Sequence, residues 1–146
     1  MFRFTGSEIV NRPAPTVWAF LIDFPKVPTW EGGVLEVRQT SSGAPGVGTT
    51  FVARRRYGPR ESLVDCRLTD WQEGRSATMS IRGGPIQEAL VTYAVEPAGE
   101  DRSRVTYRAE GALRGPMRFL TLLMPAIGRA QTRKNLRSLK RMLEGS

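Results

Sequence analysis

The stretch "RPAPTVWAFLIDFPKVPTW", residues 12–30, carries four prolines, two tryptophans and two phenylalanines. It is too apolar for a surface loop and too broken for one long helix. Arg12 precedes Pro13 and is biased toward extended backbone. Pro15 fits a first helical turn at little cost. Val17, Phe20, Leu21 and Phe24 then follow the i, i+3, i+4, i+7 spacing of an amphipathic helix. Pro25 ends it, and Asp23 is expected to cap the next turn. "KVPTWEGG" leaves room for one more short helical turn before Gly32 and Gly33. The stretch therefore reads as two short aromatic helices bent at proline, built to cover something apolar.

On either side the period changes to two, the mark of strands. Residues 3–10 form a first strand. Six more are expected at 34–40, 49–57, 61–71, 75–82, 86–98 and 102–113. Short Gly- or Pro-containing links make neighbours antiparallel, a meander. Alternation gives each strand one apolar face. These faces are Phe51, Ala53, Arg55 and Tyr57; Val64, Cys66 and Leu68; Ala77, Met79 and Ile81; Ala89, Val91, Tyr93 and Val95; and Val105, Tyr107, Ala109 and Leu113.

Residues 115–146 are helical in pattern. At ~100° per residue, Phe119, Leu122, Leu123, Ala126, Ile127 and Ala130 share one azimuth, and Leu136, Leu139 and Leu143 share another. One straight helix cannot bury both sets against one surface. A kink or break between residues 124 and 131, at Pro125 and Gly128, is expected.

Composition narrows the chemistry. The 146 residues suit a single domain, contain no histidine and hold one cysteine, Cys66. Histidine-based nucleophile pairs, histidine proton shuttles and His or Cys zinc sites are excluded. No metal or cofactor is expected. The single cysteine permits no intrachain disulfide, and no apolar run marks a signal peptide or membrane span. A soluble cytoplasmic protein is expected. The net charge of +8 is uneven: residues 1–116 hold 15 basic and 13 acidic side chains, residues 117–146 hold 7 and 1. That basic end reads either as a solvated helix face or as a contact for RNA or an anionic membrane. DNA is not an expected partner, and oligomeric state is left open.

The order of one strand, two short helices, six strands and a long helix resembles the polyketide cyclase/dehydrase-like SRPBCC superfamily. That superfamily shares the START and birch-pollen-allergen helix-grip fold. The matching residues are Pro13, Val17-Trp18, Leu21, Asp23, Pro28, Trp30 and Val34 to Val37, then "GAPGVGTTF" and the terminal "LRSLKRMLE". The resemblance spans the chain. It implies an α+β helix-grip architecture: a seven-stranded antiparallel curved sheet wrapped around the C-terminal helix, with a cavity between them. Members bind lipids, polyketides or other apolar molecules, and a minority catalyse cyclisation or dehydration. The fold therefore implies a cavity and does not imply a reaction.

The expected function is binding or transport of a small hydrophobic ligand, such as a lipid, polyketide or isoprenoid-like molecule. The candidate ligand contacts are Phe20, Phe24, Trp30, Phe51, Met79, Val91, Tyr93, Tyr107, Leu123 and Ile127, with Arg55 as polar anchor. Arg55 also admits a plainer reading, a rim residue whose head reaches water. The tyrosine hydroxyls can donate to a ligand carbonyl or simply be satisfied in the core. Two alternatives stand beside this one: a cyclase/dehydratase using Arg55 and the tyrosines on an enolate, and a protein docking its basic helix on RNA or membrane. "FLTLLMPAI" is expected to cover the cavity; exposure of it would instead mark a dimer contact or membrane insertion.

Overall fold

The computed structural model describes residues 1–145; Ser146, the end of the expected helical segment, lies outside the described residues. The chain runs β1 (Phe2–Val10), α1 (Ala14–Leu21), a first 3₁₀ helix (Phe24–Thr29), β2 (Val34–Gln39), β3 (Thr50–Tyr57) and β4 (Arg60–Gln72). It continues through β5 (Ser76–Gly83), β6 (Ile86–Pro97), β7 (Ser103–Leu113), a second 3₁₀ helix (Gly115–Leu122) and α2 (Met124–Glu144). The strands form one antiparallel sheet in the order β1-β7-β6-β5-β4-β3-β2. Register shifts near Leu68, Ile81 and Ile86 mark bulges, which bend and twist the sheet into a curved half-shell.

The strand faces lie as alternation dictates. Val64, Cys66, Leu68, Ala77, Met79, Ile81, Val91, Tyr93, Val95, Val105, Tyr107 and Ala109 are all buried on the concave side. The proline-rich stretch covers part of that side, burying Val17, Trp18, Leu21, Phe24, Val27 and Trp30. Glu73, in the turn after β4, fastens it there. Its two carboxylate oxygens accept from the indole N–H groups of Trp18 (3.2 Å) and Trp71 (2.8 Å), whose rings meet edge-on. Asp23 does not cap the next turn through its side chain: its carboxylate pairs with Lys26 at 3.4 Å instead.

The C-terminal segment departs from expectation in where it breaks. The discontinuity falls at Leu123, and α2 then runs unbroken from Met124 to Glu144. Pro125 sits in the first turn of α2, where its missing N–H would have had no intrahelical partner. It starts a helix rather than bending one. A continuous α2 must choose one inward face, and it buries Gly128, Thr132, Asn135, Leu136, Leu139 and Leu143. The small residues decide the choice: a Cβ on Gly128 would run into the Phe4 ring of β1, so the helix backbone lies directly on that ring. The far end is latched by Lys140, whose Nζ donates to Ile9 O at 2.7 Å and pairs with Glu144 at 2.7 Å. Among the described residues no helix is long and apolar enough to cross a membrane.

Candidate functional site

On β3 the concave parity runs Phe51, Ala53, Arg55, so the strand itself drives a guanidinium inward. Facing it is Glu31, only 3% exposed. This carboxylate follows the first 3₁₀ helix and is aimed by its backbone. Its N–H donates to Val27 O at 2.9 Å. The next residue, Gly32, donates its N–H to Asn135 Oδ1 on α2 at 2.9 Å. Gly33 then turns with φ of 88°, a region that favours glycine, and accepts from Arg56 N–H at 2.7 Å. "WEGG" thus ties the 3₁₀ helix to α2 on one side and to β3 on the other, and points Glu31 between them.

Tyr93 and Tyr107 sit opposite each other on β6 and β7, with ring centroids 5.3 Å apart and edge-on. The Tyr93 hydroxyl donates a long 3.5 Å hydrogen bond to Glu31 Oε1. Trp30 and Phe24 pack against the Tyr93 ring at 6.1 and 6.2 Å. The Arg55 guanidinium lies 5.8 Å from the Tyr57 ring centroid. No ion pair within 4.0 Å joins Arg55 to Glu31 among the described residues, so their attraction acts across a gap. Arg55 Nε is fully buried and has no hydrogen-bond partner among the described residues; Trp30 Nε1 is in the same condition. A buried donor left unpaired costs about 1–3 kcal/mol.

The electrostatics follow from this burial. Burial pushes Glu31 up from the ordinary carboxylate value, more than the Arg55 charge and hydrogen bonding from the two tyrosines pull it down. Burial opposes the charge on Arg55, but Glu31 and the surrounding phenols together hold its pKa above the ordinary range. Tyr93 and Tyr107 are raised by burial and by the negative charge of Glu31, so both remain hydroxyl donors. Burial lifts the Cys66 thiol to about 11, leaving it a poor nucleophile near neutrality. The cluster can therefore offer one permanent cation, two neutral hydroxyls and one carboxyl that burial makes easier to protonate than an ordinary glutamate.

A stability consequence follows for Glu31. Its folded pKa lies above its unfolded value, so the folded state holds the extra proton, and stability falls as pH rises from about 4.5 through the folded pKa. Glu31→Gln, which fixes the neutral form, is expected to melt higher than the parent at pH 7. The difference should vanish below the unfolded carboxylate value. Thermal denaturation across pH 4–8 checks this; a Gln variant that melts lower at pH 7 and equally at pH 4 reverses the sign.

The cavity beside these groups is lined by Phe24, Glu31, Phe51, Arg55, Met79 and Tyr93, among others, and encloses only about 30 Å³. That is room for about one water. It lies between the first 3₁₀ helix and strands β2 to β6, and α2 does not line it, contrary to expectation. Trp30, Val91 and Tyr107 are buried nearby without lining it, and Phe20 is half-buried against the core. Leu123 and Ile127 are not interior residues at all: they are 55% and 57% exposed, because α2 spends its inward face on Gly128, Thr132 and the three leucines. Ligand-sized space sits instead outside that cavity, in a mouth groove beside Tyr57 that shares no lining residue with it. Tyr57, Pro59, Pro85, Ile86, Leu113 and Met117 help to line an apolar groove of about 330 Å³. An adjoining cleft of about 430 Å³ shares Tyr57, Pro85 and Met117.

The sequence profile of the family described as polyketide cyclase / dehydrase and lipid transport matches residues 1–144. The chain belongs to that family. Solved structures agree on the fold. An aromatase/cyclase, ZhuI of Streptomyces sp. R1128, superposes with a TM-score of 0.82 at 11% identity, over 97% of this chain and 93% of that one. A START superfamily protein of Mycobacterium smegmatis gives 0.76 at 13% identity, over 99% and 96%. The protein Ara h 8.0201 gives 0.69 at 12% identity, over 99% and 98%. No curated protein matches the sequence. At these identities the structural neighbours establish the helix-grip fold of the family and nothing of its chemistry in this chain.

Glu31 is the site residue that sequence reasoning missed. Periodicity assigns faces only inside strands and helices, and Glu31 lies in neither. The available signal was a lone carboxylate held between Trp30 and a glycine pair.

Proposed function

We propose that residues 1–146 act as one ligand-binding domain for a small, mainly apolar molecule with an oxygen-bearing polar end. The polar end lies between Arg55 and Glu31, and the apolar body extends past Tyr57 into the mouth groove. The observation that carries this reading is the buried, unpartnered Nε of Arg55 facing an apolar cavity. Arg55 as a whole is half-buried, but its Nε–H has lost hydration without gaining a protein acceptor, and a ligand oxygen would supply one. The groove volume of about 330 Å³ falls in the range of small-molecule sites. Since the inner cavity holds about one water, binding requires the rings of Phe24 and Tyr57 to shift. Native mass spectrometry of detergent-free protein is expected to find a non-covalent small molecule that leaves on denaturation. Unliganded protein that also fails to bind added dodecanoate or 2-naphthoate counts against the proposal.

A second reading rests on the raised pKa of Glu31 beside a permanent cation. That pairing suits enolate chemistry of cyclase or dehydratase type. Arg55 would hold the enolate oxygen, and Glu31 would give and take the proton. Turnover of a poly-β-ketone that is lost in Arg55→Ala and Glu31→Gln supports it, and turnover unchanged in both rejects these roles.

A further inference from the structure

The segment that breaks at Leu123 turns its apolar side outward. Phe119 is 72% exposed and Leu122 is 90% exposed, and Leu123 and Ile127 stand beside them with more than half their surface in solvent. Solvated leucines grouped in this way mark an interaction surface. The outward stripe of α2 continues the same line. At ~100° per residue, Leu123, Ile127 and Ala130 share the azimuth of Lys134, Arg137 and Arg141, opposite the buried Thr132, Leu136 and Leu139. The stripe is apolar for its first two turns and cationic for the rest, over about 27 Å from Leu123 to Arg141. Between residues 114 and 143 the chain has eight Lys or Arg and no Asp or Glu. Arg133, Lys134 and Arg137 take part in no ion pair among the described residues.

We propose that this face docks on an anionic lipid bilayer, with Phe119, Leu122, Leu123 and Ile127 entering the acyl boundary and the α2 cations lying over the headgroups. An apolar tip followed by a cationic stripe matches the two layers of a membrane surface. Three of the four apolar side chains are aliphatic and offer nothing to base stacking, which disfavours RNA. A second copy packed along this stripe would set its cationic row against apolar side chains or against a like cationic row, and neither supplies an anion. The contact also places the mouth groove against the lipid, because Met117, Leu120 and Met124 of the same segment line it. The docking does not depend on the ligand reading: lipid vesicles alone test it.

Co-sedimentation with phosphatidylcholine vesicles, with and without phosphatidylglycerol, reads it out. The full chain is expected to bind the anionic vesicles, to bind the neutral ones far less, and to be released as salt rises. Leu122→Glu and Ile127→Glu each weaken binding on the order of tenfold or more. Lys134→Ala and Arg137→Ala each weaken it about fivefold at low salt. These side chains are exposed, so melting temperatures stay at the parental value. Leu63→Glu, at a leucine on the convex face of the sheet whose exposure of 67% lies between those of Ile127 and Leu122, leaves binding unchanged. Equal binding to both vesicle types, or parental binding by Leu122→Glu and Ile127→Glu, overturns the proposal. So does single-stranded RNA binding without vesicle binding, or a dimer that Leu122→Glu dissociates while vesicles stay unbound.

Discussion

Phe24→Ala is expected to destabilise the fold by about 3–5 kcal/mol. Phe24 opens the first 3₁₀ helix, directly before Pro25, and only 2% of it is exposed. Its ring meets Phe51 edge-on at 5.0 Å and leans on Tyr93 at 6.2 Å. Removing it forfeits the burial of a large ring and two aromatic contacts, each worth about 0.5–1.5 kcal/mol beyond area. The surroundings cannot readily close over the space, because the prolines flanking that turn restrict the backbone. Urea unfolding followed by tryptophan fluorescence measures the loss as a lower midpoint at unchanged slope. A loss below about 1 kcal/mol would mean that the aromatic stretch is not anchored on the sheet as described.

Arg55→Met is expected to abolish binding of an anionic-headed apolar probe while leaving the fold intact. A charge-assisted hydrogen bond to a desolvated oxygen contributes about 1.5–3 kcal/mol, and loss of a partner from a buried pair costs about 2–5 kcal/mol in binding. Affinity for 2-naphthoate should therefore fall by about a hundredfold or more. Stability should change far less than in Phe24→Ala. Methionine fills similar space, Nε has no acceptor to lose, and Glu31 can take up a proton once the cation is gone. Titration calorimetry with parallel melting curves separates the two effects. Unchanged affinity would make Arg55 a passive interior residue, and equal loss of affinity and stability would make it a structural one.

The proline-rich stretch and the strand faces were legible from the sequence because both rest on short-range rules. Proline fixes its own dihedral and disfavours helix before it, so Pro13 and Pro15 mark the start of α1 and Pro25 the start of the first 3₁₀ helix, although α1 ends at Leu21, three residues short of the expected Phe24. Alternation placed Arg55, Tyr93 and Tyr107 on the concave side because one-residue slips are forbidden wherever a face is buried. What escaped was set by tertiary contacts. Either apolar stripe of the C-terminal segment could have faced the core; the contact between Gly128 and the Phe4 ring selected the leucine stripe and left Leu123 and Ile127 in solvent. Pro125 is as compatible with starting a helix as with kinking one, and only the break at Leu123 decides it. Cavity volume depends on how side chains interlock, and Phe24, Phe51 and Met79 leave about 30 Å³ where a ligand-sized space was expected. Glu31 lies in a connection whose residues have no periodic face.

The central claim is that Arg55 receives the polar end of a ligand through a donor the protein leaves unpaired. The nuclear magnetic resonance signal of the Arg55 Nε–Hε group tests this most directly, followed while the full chain is titrated with 2-naphthoate. The account predicts a saturable downfield shift of Arg55 Hε as the carboxylate accepts its hydrogen bond, with parallel shifts at Tyr57, Ile86 and Met117 around the mouth groove. An Arg55 signal that stays fixed while the probe saturates a site elsewhere would contradict it.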